Sequence, residues 1–358
     1  MVKVAEKIMK NFIITCAIFI FLVFGSNALA ETQGTENSLQ EADKALGQKN
    51  YERAAAILKP LATEGVAEAQ YALGELMLEG KGLKKNVAQA VRLFAQSAEK
   101  GNIPAQTAYG IALASGKGVK RNYAEAARWF RKAAEQGHAE AQYYLGYLYA
   151  YGRGVKKDGA AALDWFSRAA NQGLADAEYS LAWTYLNARD ESQSDTRAAH
   201  WFAKAASQDH VKAQNNLAYM YAEGRGFPQD YAKAFELYSR AAEKGYPEAQ
   251  YNLGFMYEKG YGTEQSYEKA VDWYRKAADQ NEPSAQYSLG LMYEQGTGVA
   301  PNLAEATRWY RLAAQNGDPE ARTALRAQGK SLQATENKSK AAQKGRGTGV
   351  QKAGRSGN

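Results

Sequence analysis

Four aromatic residues, Tyr147, Trp183, Tyr219 and Phe255, recur at intervals of 36 residues, and Asn216 and Asn252 stand three positions before the last two. Tyr144 and Tyr151 flank Tyr147 at helical spacing, on the same side. Flat rings offer apolar platforms and side-chain amides both donate and accept hydrogen bonds. The pattern therefore suits recognition of an extended peptide backbone or of sugar hydroxyls. The competing reading leaves the same rings packed between neighbouring repeats, with no ligand role.

Bond-making chemistry has little to draw on. Of the three histidines, His138 and His210 occupy equivalent turns two repeats apart and His200 lies between them, so they do not converge on one metal. No Ser/His/Asp order, HExxH run or phosphate-cradling glycine loop is present. The Gly-x-Gly pairs recur six times (Gly80/Gly82, Gly116/Gly118, Gly152/Gly154, Gly224/Gly226, Gly260/Gly262 and Gly296/Gly298), which marks them as joints. Glu223, Glu258 and Glu294 follow the array, yet acid–base catalysis needs a sheltered cleft. The lone Cys16 sits in an amino-terminal apolar run, so neither disulfides nor thiolate chemistry is expected of the mature chain. The expectation is a non-enzymatic chain with no metal and no cofactor.

Positioning the aromatic and amide residues falls to a repeated element. Ala69, Ala105, Ala141, Ala177, Ala213, Ala249, Ala285 and Ala321 stand 36 residues apart without a slip, the mark of a tandem array. Leu145, Leu181, Leu217 and their equivalents follow four positions later, and Met77, Leu113 or a tyrosine such as Tyr221 follows at eight. That stripe predicts an amphipathic first helix. Five positions after the alanine stands Gly74, Gly110, Gly146, Gly254 or Gly290, with Ala182 and Ala218 as exceptions. A glycine inside a helix costs about 1 kcal/mol, which close approach of a partner helix would offset. The core is thus expected at offsets 0, +4, +5 and +8 from the alanine. Offsets +3, +6 and +10, which carry the candidate residues, should face away from it.

A second helix in each repeat carries Trp129-Phe130, Trp165-Phe166, Trp201-Phe202, Trp273-Tyr274 and Trp309-Tyr310, expected as core knobs. Asn86, Asn122, Asp158, Ser194, Asp230, Ser266 and Asn302 precede it as caps. It should stop at Gly65, Gly101, Gly137, Gly173, Gly245 and Gly317, with Asp209 and Asn281 taking that left-handed position twice. Pro60 lies inside the first such helix and predicts a bend or a shortening there. In the fourth repeat, residues 188–194 replace the Gly-x-Gly turn and predict an altered joint beside Trp183.

The ends differ from the array. Lys3, Lys7 and Lys10 precede the apolar run Phe12 to Phe24, and Ala28-Leu29-Ala30 has the small residues of a cleavage site. Residues 1–30 are therefore expected to be a signal peptide, Met1 or Met9 its start, and the chain exported to the periplasm or beyond. No transmembrane segment is expected after its removal. Residues 31–65 are expected as a linker and capping helix pair. Seven repeats follow (66–101, 102–137, 138–173, 174–209, 210–245, 246–281 and 282–317), then a capping helix at 318–328 and a disordered basic tail at 329–358. The net charge of +7 is concentrated at the ends: the first 30 residues carry +2 and residues 327–358 carry +6, leaving the array near −1. The tail is suited to anionic surfaces. The array has no excess of positive charge to seek polyanions, and an exported chain is not expected to meet nucleic acid.

The run Ala-Gln-Tyr-x-Leu-Gly-x-x-Tyr, then Gly-x-Gly-Val, then Asp or Asn, Ala and Trp with a closing Ala-Ala-x-x-Gly, resembles the Sel-1-like repeat family, relatives of the tetratricopeptide repeats. Residues 141–173 and 249–278 carry it most fully. The resemblance implies an all-α, right-handed α-solenoid of stacked antiparallel helix pairs. It further implies an adaptor that holds a partner protein or peptide on its concave face, often in the bacterial cell envelope. Some cysteine-rich members are linked to cell-wall compounds. The alternative is therefore a binder or weak hydrolase of peptidoglycan or β-lactam type, with cell-wall glycan as partner, although the cysteines of that branch are missing here.

Overall fold

The computed structural model describes residues 33–187 and 191–328. The signal-peptide and Cys16 expectations, the basic tail and the centre of the fourth turn lie outside the described residues. The chain divides into two compact units, one ending at Ala177 and the other beginning at Glu178. In the first, α1 (33–47) and α2 (Tyr51–Glu64) form the amino-terminal cap. Three repeats follow: α3 (Ala67–Glu79) with α4 (Val87–Glu99), α5 (Ile103–Ser115) with α6 (Tyr123–Glu135), and α7 (Ala139–Tyr151) with α8 (Gly159–Asn171). The next repeat has α9 (Ala175–Leu186) and α10 (Glu191–Ser207). The second unit continues with α11 (Val211–Glu223) and α12 (Tyr231–Glu243), α13 (Pro247–Lys259) and α14 (Tyr267–Ala278), α15 (Pro283–Gln295) and α16 (Leu303–Gln315), and a last helix, α17 (319–328). The described residues are all-helical, in adjacent pairs with a 36-residue period: a Sel1-type α-solenoid.

Helices of 13 residues are marginal alone, so packing must hold them. All eight alanines of the 36-residue series are 0% exposed, because nothing larger fits where neighbouring helices cross. Leu145, Leu181, Leu253 and Leu289 beside them are buried, each contributing about 1.5–3 kcal/mol. The stripe then turns through offset +7, where Leu76, Leu148, Met220, Met256 and Met292 are buried. The expected +8 column is buried only at Met77 and Leu113; its tyrosines are half-buried. This corrects the helix phase: +7 lies closer to the centre of a 0/+4 stripe, and +8 sits at its edge. There a tyrosine keeps its hydroxyl wet, as Tyr149 and Tyr293 do by accepting from Arg131 and Arg275.

The glycine at offset +5 faces the ring of the second helix. A Cβ on Gly110 would lie 2.6 Å from the Phe130 ring. The second glycine of each turn is a joint between repeats: Gly154, at φ +70°, would place a Cβ 2.3 Å from the Tyr123 backbone at the start of α6. Six of the expected caps hold, each accepting from the amide three residues on; Asn122, for example, accepts from Glu125. Ser194 is the exception. α10 begins at Glu191, so Ser194 is buried inside its first turn rather than capping it. No glycine pair enforces left-handed geometry in this repeat, and the helix start is tied down instead by Arg225, whose guanidinium forks onto Asp195 at 2.7 and 3.0 Å. The shortening expected at Pro60 is also absent, since α2 continues to Glu64. Pro60 and Ala56 are solvent-exposed, so the lost hydrogen bond lies on the wet side while buried Leu61 and Ala62 hold the last turn.

A polar spine runs through this apolar array. Gln106, Gln142, Gln250 and Gln286, at offset +1, are buried and donate to the carbonyls of Ala98, Ala134, Ala242 and Ala278 in the preceding helix. Their own Oε1 atoms accept from Gln136, Gln172, Gln280 and Asn316. The spine is interrupted where the donor is a lysine. Lys100 reaches the Gly65 carbonyl and Lys244 pairs with Asp209 at 2.7 Å, and the Oε1 atoms of Gln70 and Gln214 are left buried without a partner.

Candidate binding surface

In the first unit, α7 carries Tyr144, Tyr147 and Tyr151. Tyr144 is half-buried and its ring stacks on Phe130, centroids 5.2 Å apart and planes at 17°. Its ring packs between α6 and α7, which corrects the expectation that offset +3 faces away from the core. Burial, aided by the Glu140 and Asp176 carboxylates, pushes its hydroxyl pKa up. Tyr147 and Tyr151 lie 4.5 Å apart and share one cation. The Arg153 guanidinium stands 5.5 Å from the first ring, 5.8 Å from the second and 5.7 Å from Tyr123. Tyr151 is 62% exposed, the most open large apolar side chain of the described residues.

In the second unit, α9, α11 and α13 present Trp183, Tyr219 and Phe255 at offset +6, exposed by 40, 48 and 37%. Trp183 meets Tyr179 and Phe202 edge-on. Tyr219 stands near Arg225, the residue that clamps α10. Phe255 has Lys259 5.5 Å from its ring centroid and Tyr261 against its edge. Beside them runs an amide chain: Asn252 Nδ2 donates to Asn215 Oδ1 at 3.1 Å, and Asn215 Nδ2 donates to Asn216 Oδ1 at 3.4 Å. The chain ends on Asn216 Nδ2, which has no partner. An unsatisfied buried donor costs about 1–3 kcal/mol, and an ordered acceptor beside it relieves that cost.

Asn215 was not among the residues singled out by sequence. Its offset, +2, is Tyr71, Tyr143, Tyr179, Tyr251 or Tyr287 in five other repeats, and each of these rings packs against the aromatic ring of its second helix at 5.6–6.0 Å. Asn215 removes that ring in the fifth repeat and puts an amide in its place. The break in the tyrosine column was the available signal. The tryptophan column also differs from a simple core: Trp129 and Trp309 are buried, whereas Trp165, Trp201 and Trp273 are half-buried beneath Arg168, Lys204 and Lys276. His138 and His210 cap α7 and α11, Nδ1 accepting from Ala141 and Ala213. No group of three or more metal-ligating side chains gathers among the described residues, and no described helix is long and apolar enough to cross a membrane.

Comparison with known proteins places this geometry. The Sel1 repeat model matches seven consecutive segments, 67–102, 103–138, 139–174, 175–210, 211–246, 247–282 and 283–318. The crystal structure of c5321, a protective antigen of uropathogenic Escherichia coli with an SLR fold, is similar at 34% identity over 76% of this chain, with a TM-score of 0.68. This chain spans 58% of that protein's length. A Sel1 repeat protein from Oxalobacter formigenes is 29% identical over 83% of this chain and 91% of its own, with a TM-score of 0.62. No curated protein matches. The seven matches run without a gap over more than half of the sequence, and the chain belongs to the Sel1 repeat family, a helical-repeat scaffold.

Proposed function

We propose that this chain is an exported, non-enzymatic adaptor of the bacterial cell envelope that holds an extended segment of a partner protein against α11 and α13. Sel1 repeats mediate protein interactions, and the observation that carries the reading is the fifth repeat. There Asn215 stands where most other repeats place a packed tyrosine, and the amide chain it forms with Asn216 and Asn252 lies beside exposed Tyr219 and Phe255. Peptide backbone supplies both donors and acceptors to such amides, and apolar side chains of the segment cover the rings. Export rests on the lysines and apolar run of residues 1–30, and predicts a mature chain starting at Glu31.

The test begins with peptides selected from a displayed random library on the full mature chain, followed by titration of the best peptide. Tyr219→Ala with Phe255→Ala should weaken that peptide at least 30-fold with far-ultraviolet ellipticity unchanged. Equal affinity in the double variant contradicts the reading. Sedimentation with purified peptidoglycan, with no peptide selected, would favour the cell-wall alternative, because rings and amides also suit sugars.

A further inference from the structure

A second recognition site lies between the amino-terminal cap and the first repeat, in a cavity of about 410 Å³ above α3. Leu46, Tyr71, Ala72 and Leu76 give it an apolar floor, and Asp43, Glu68, Glu75 and Glu79 stand around it. Lys81 is the cation that lines it, and its ammonium is already engaged by Glu79 at 2.5 Å and lies 5.3 Å from the Tyr51 ring centroid. Burial, with the Glu75 carboxylate one turn further along α3, pushes the Tyr71 hydroxyl pKa up. Burial pushes the Glu75 pKa above the usual carboxylate range, and the carboxylates of Glu79 and Glu140 add to the rise. The cavity thus joins apolar surface to an uncompensated excess of negative charge.

We propose that this cavity takes a lysine or arginine side chain of a polypeptide partner, its aliphatic stem lying on Leu46, Tyr71 and Leu76 and its cation meeting Glu68 and Glu75. Long cationic side chains are the chemistry with both parts, an apolar stem and a charged head. A bare metal ion would leave the apolar floor unused, and an anionic ligand would be repelled. The volume is near the lower end of the roughly 300–1,000 Å³ of small-molecule sites, which fits one side chain with its adjoining backbone.

The site belongs to the first unit and shares no residue with the amide and aromatic face of the second, so either can fail without the other. Pentalysine is the probe and pentaglutamate its control, titrated into the full mature chain at low ionic strength. Pentalysine should bind, pentaglutamate should not, and the Tyr51 and Tyr71 ring resonances should shift. Glu68→Gln with Glu75→Gln should weaken pentalysine at least tenfold. Glu135→Gln with Glu243→Gln, an equal change of charge at exposed positions elsewhere, should change it less than twofold. Melting curves check that both doubles fold, and the ring shifts in the unaltered chain give a readout that needs no variant. Absence of pentalysine binding, silent ring resonances, or equal weakening in both doubles would overturn the proposal.

Discussion

The third repeat, in the first unit, and the fifth, in the second, are built alike and finished differently. Both set 13-residue helices around fully buried alanines, and both open on a histidine cap. In the third repeat Tyr143 packs against Phe166, Gly146 admits the same ring, and the half-buried Tyr147 and exposed Tyr151 share Arg153. In the fifth, Asn215 and Ala218 replace Tyr143 and Gly146, and an amide chain with an unpartnered end appears beside an open Tyr219. One scaffold can therefore hold its stacking residues constant while exchanging ring contacts for hydrogen-bonding capacity at two or three offsets. Sites on repeat proteins are to be sought where columns break.

The largest expected effect separates the two surfaces. Tyr219→Ala with Phe255→Ala should remove at least about 2 kcal/mol of binding to a selected peptide, the scale of an interface hot spot. Tyr147→Ala with Tyr151→Ala, in the first unit, should change the same titration less than threefold. A reversed order would move the site to α7. Next come the close helix contacts. Gly110→Ala drives a methyl group into the Phe130 ring and should cost about 1–3 kcal/mol in a denaturant melt. Ala218→Gly, where the fifth repeat already accommodates the methyl group, should cost about 1 kcal/mol through helix propensity.

A third contrast lies in the second helices. Tyr274 and Tyr310 are deeply placed and donate to Glu258 and Glu294 at 2.7 Å, whereas Phe130 and Phe166 have Ala114 and Ala150 at the offset those glutamates occupy. Burial, with Glu258 close by, pushes the Tyr274 hydroxyl pKa far up, so it stays a donor throughout the neutral range. Phe166→Tyr should cost about 1–3 kcal/mol by burying an unmatched hydroxyl, and Tyr274→Phe about 0.5–1.5 kcal/mol. Paired melts check the order. The smallest effect is a gain. Lys100→Gln should complete the polar spine by donating to Gln70 Oε1 and the Gly65 carbonyl, as Gln172 does to Gln142 and Gly137, and stabilise by about 0.5–1.5 kcal/mol. Lys244→Gln should gain less, because it also gives up the ion pair with Asp209.

Much of this architecture is legible in the residues themselves. The alanine metre, the leucines at +4 and the cap columns each impose one local geometry, and Asp209 and Asn281 adopt positive φ where glycine is missing. Tertiary context decided the rest. The +7 column mixes Leu, Ala, Thr and Met and carries no obvious signature, so the more uniform +8 tyrosines drew the core to the wrong edge. Ser194 has a capping side chain but stands in a repeat whose joint is rebuilt by Arg225 and Asp195, thirty residues apart. The burial of Gln106 and its equivalents has no local signal, because it depends on carbonyls at the end of the preceding helix that need donors. The exposure of Trp183, Tyr219 and Phe255 at +6 followed from helix periodicity, whereas the half-burial of Tyr147 and Tyr144 and the partnering of Asn215 depend on rings and amides packed around them.

The most direct test of the proposed surface is photocrosslinking of a library-selected peptide to full-length chains carrying benzoylphenylalanine in place of either Phe255 or Tyr151. The amide and aromatic face predicts a peptide adduct from position 255 and none from 151; an adduct from 151 with none from 255 would contradict it.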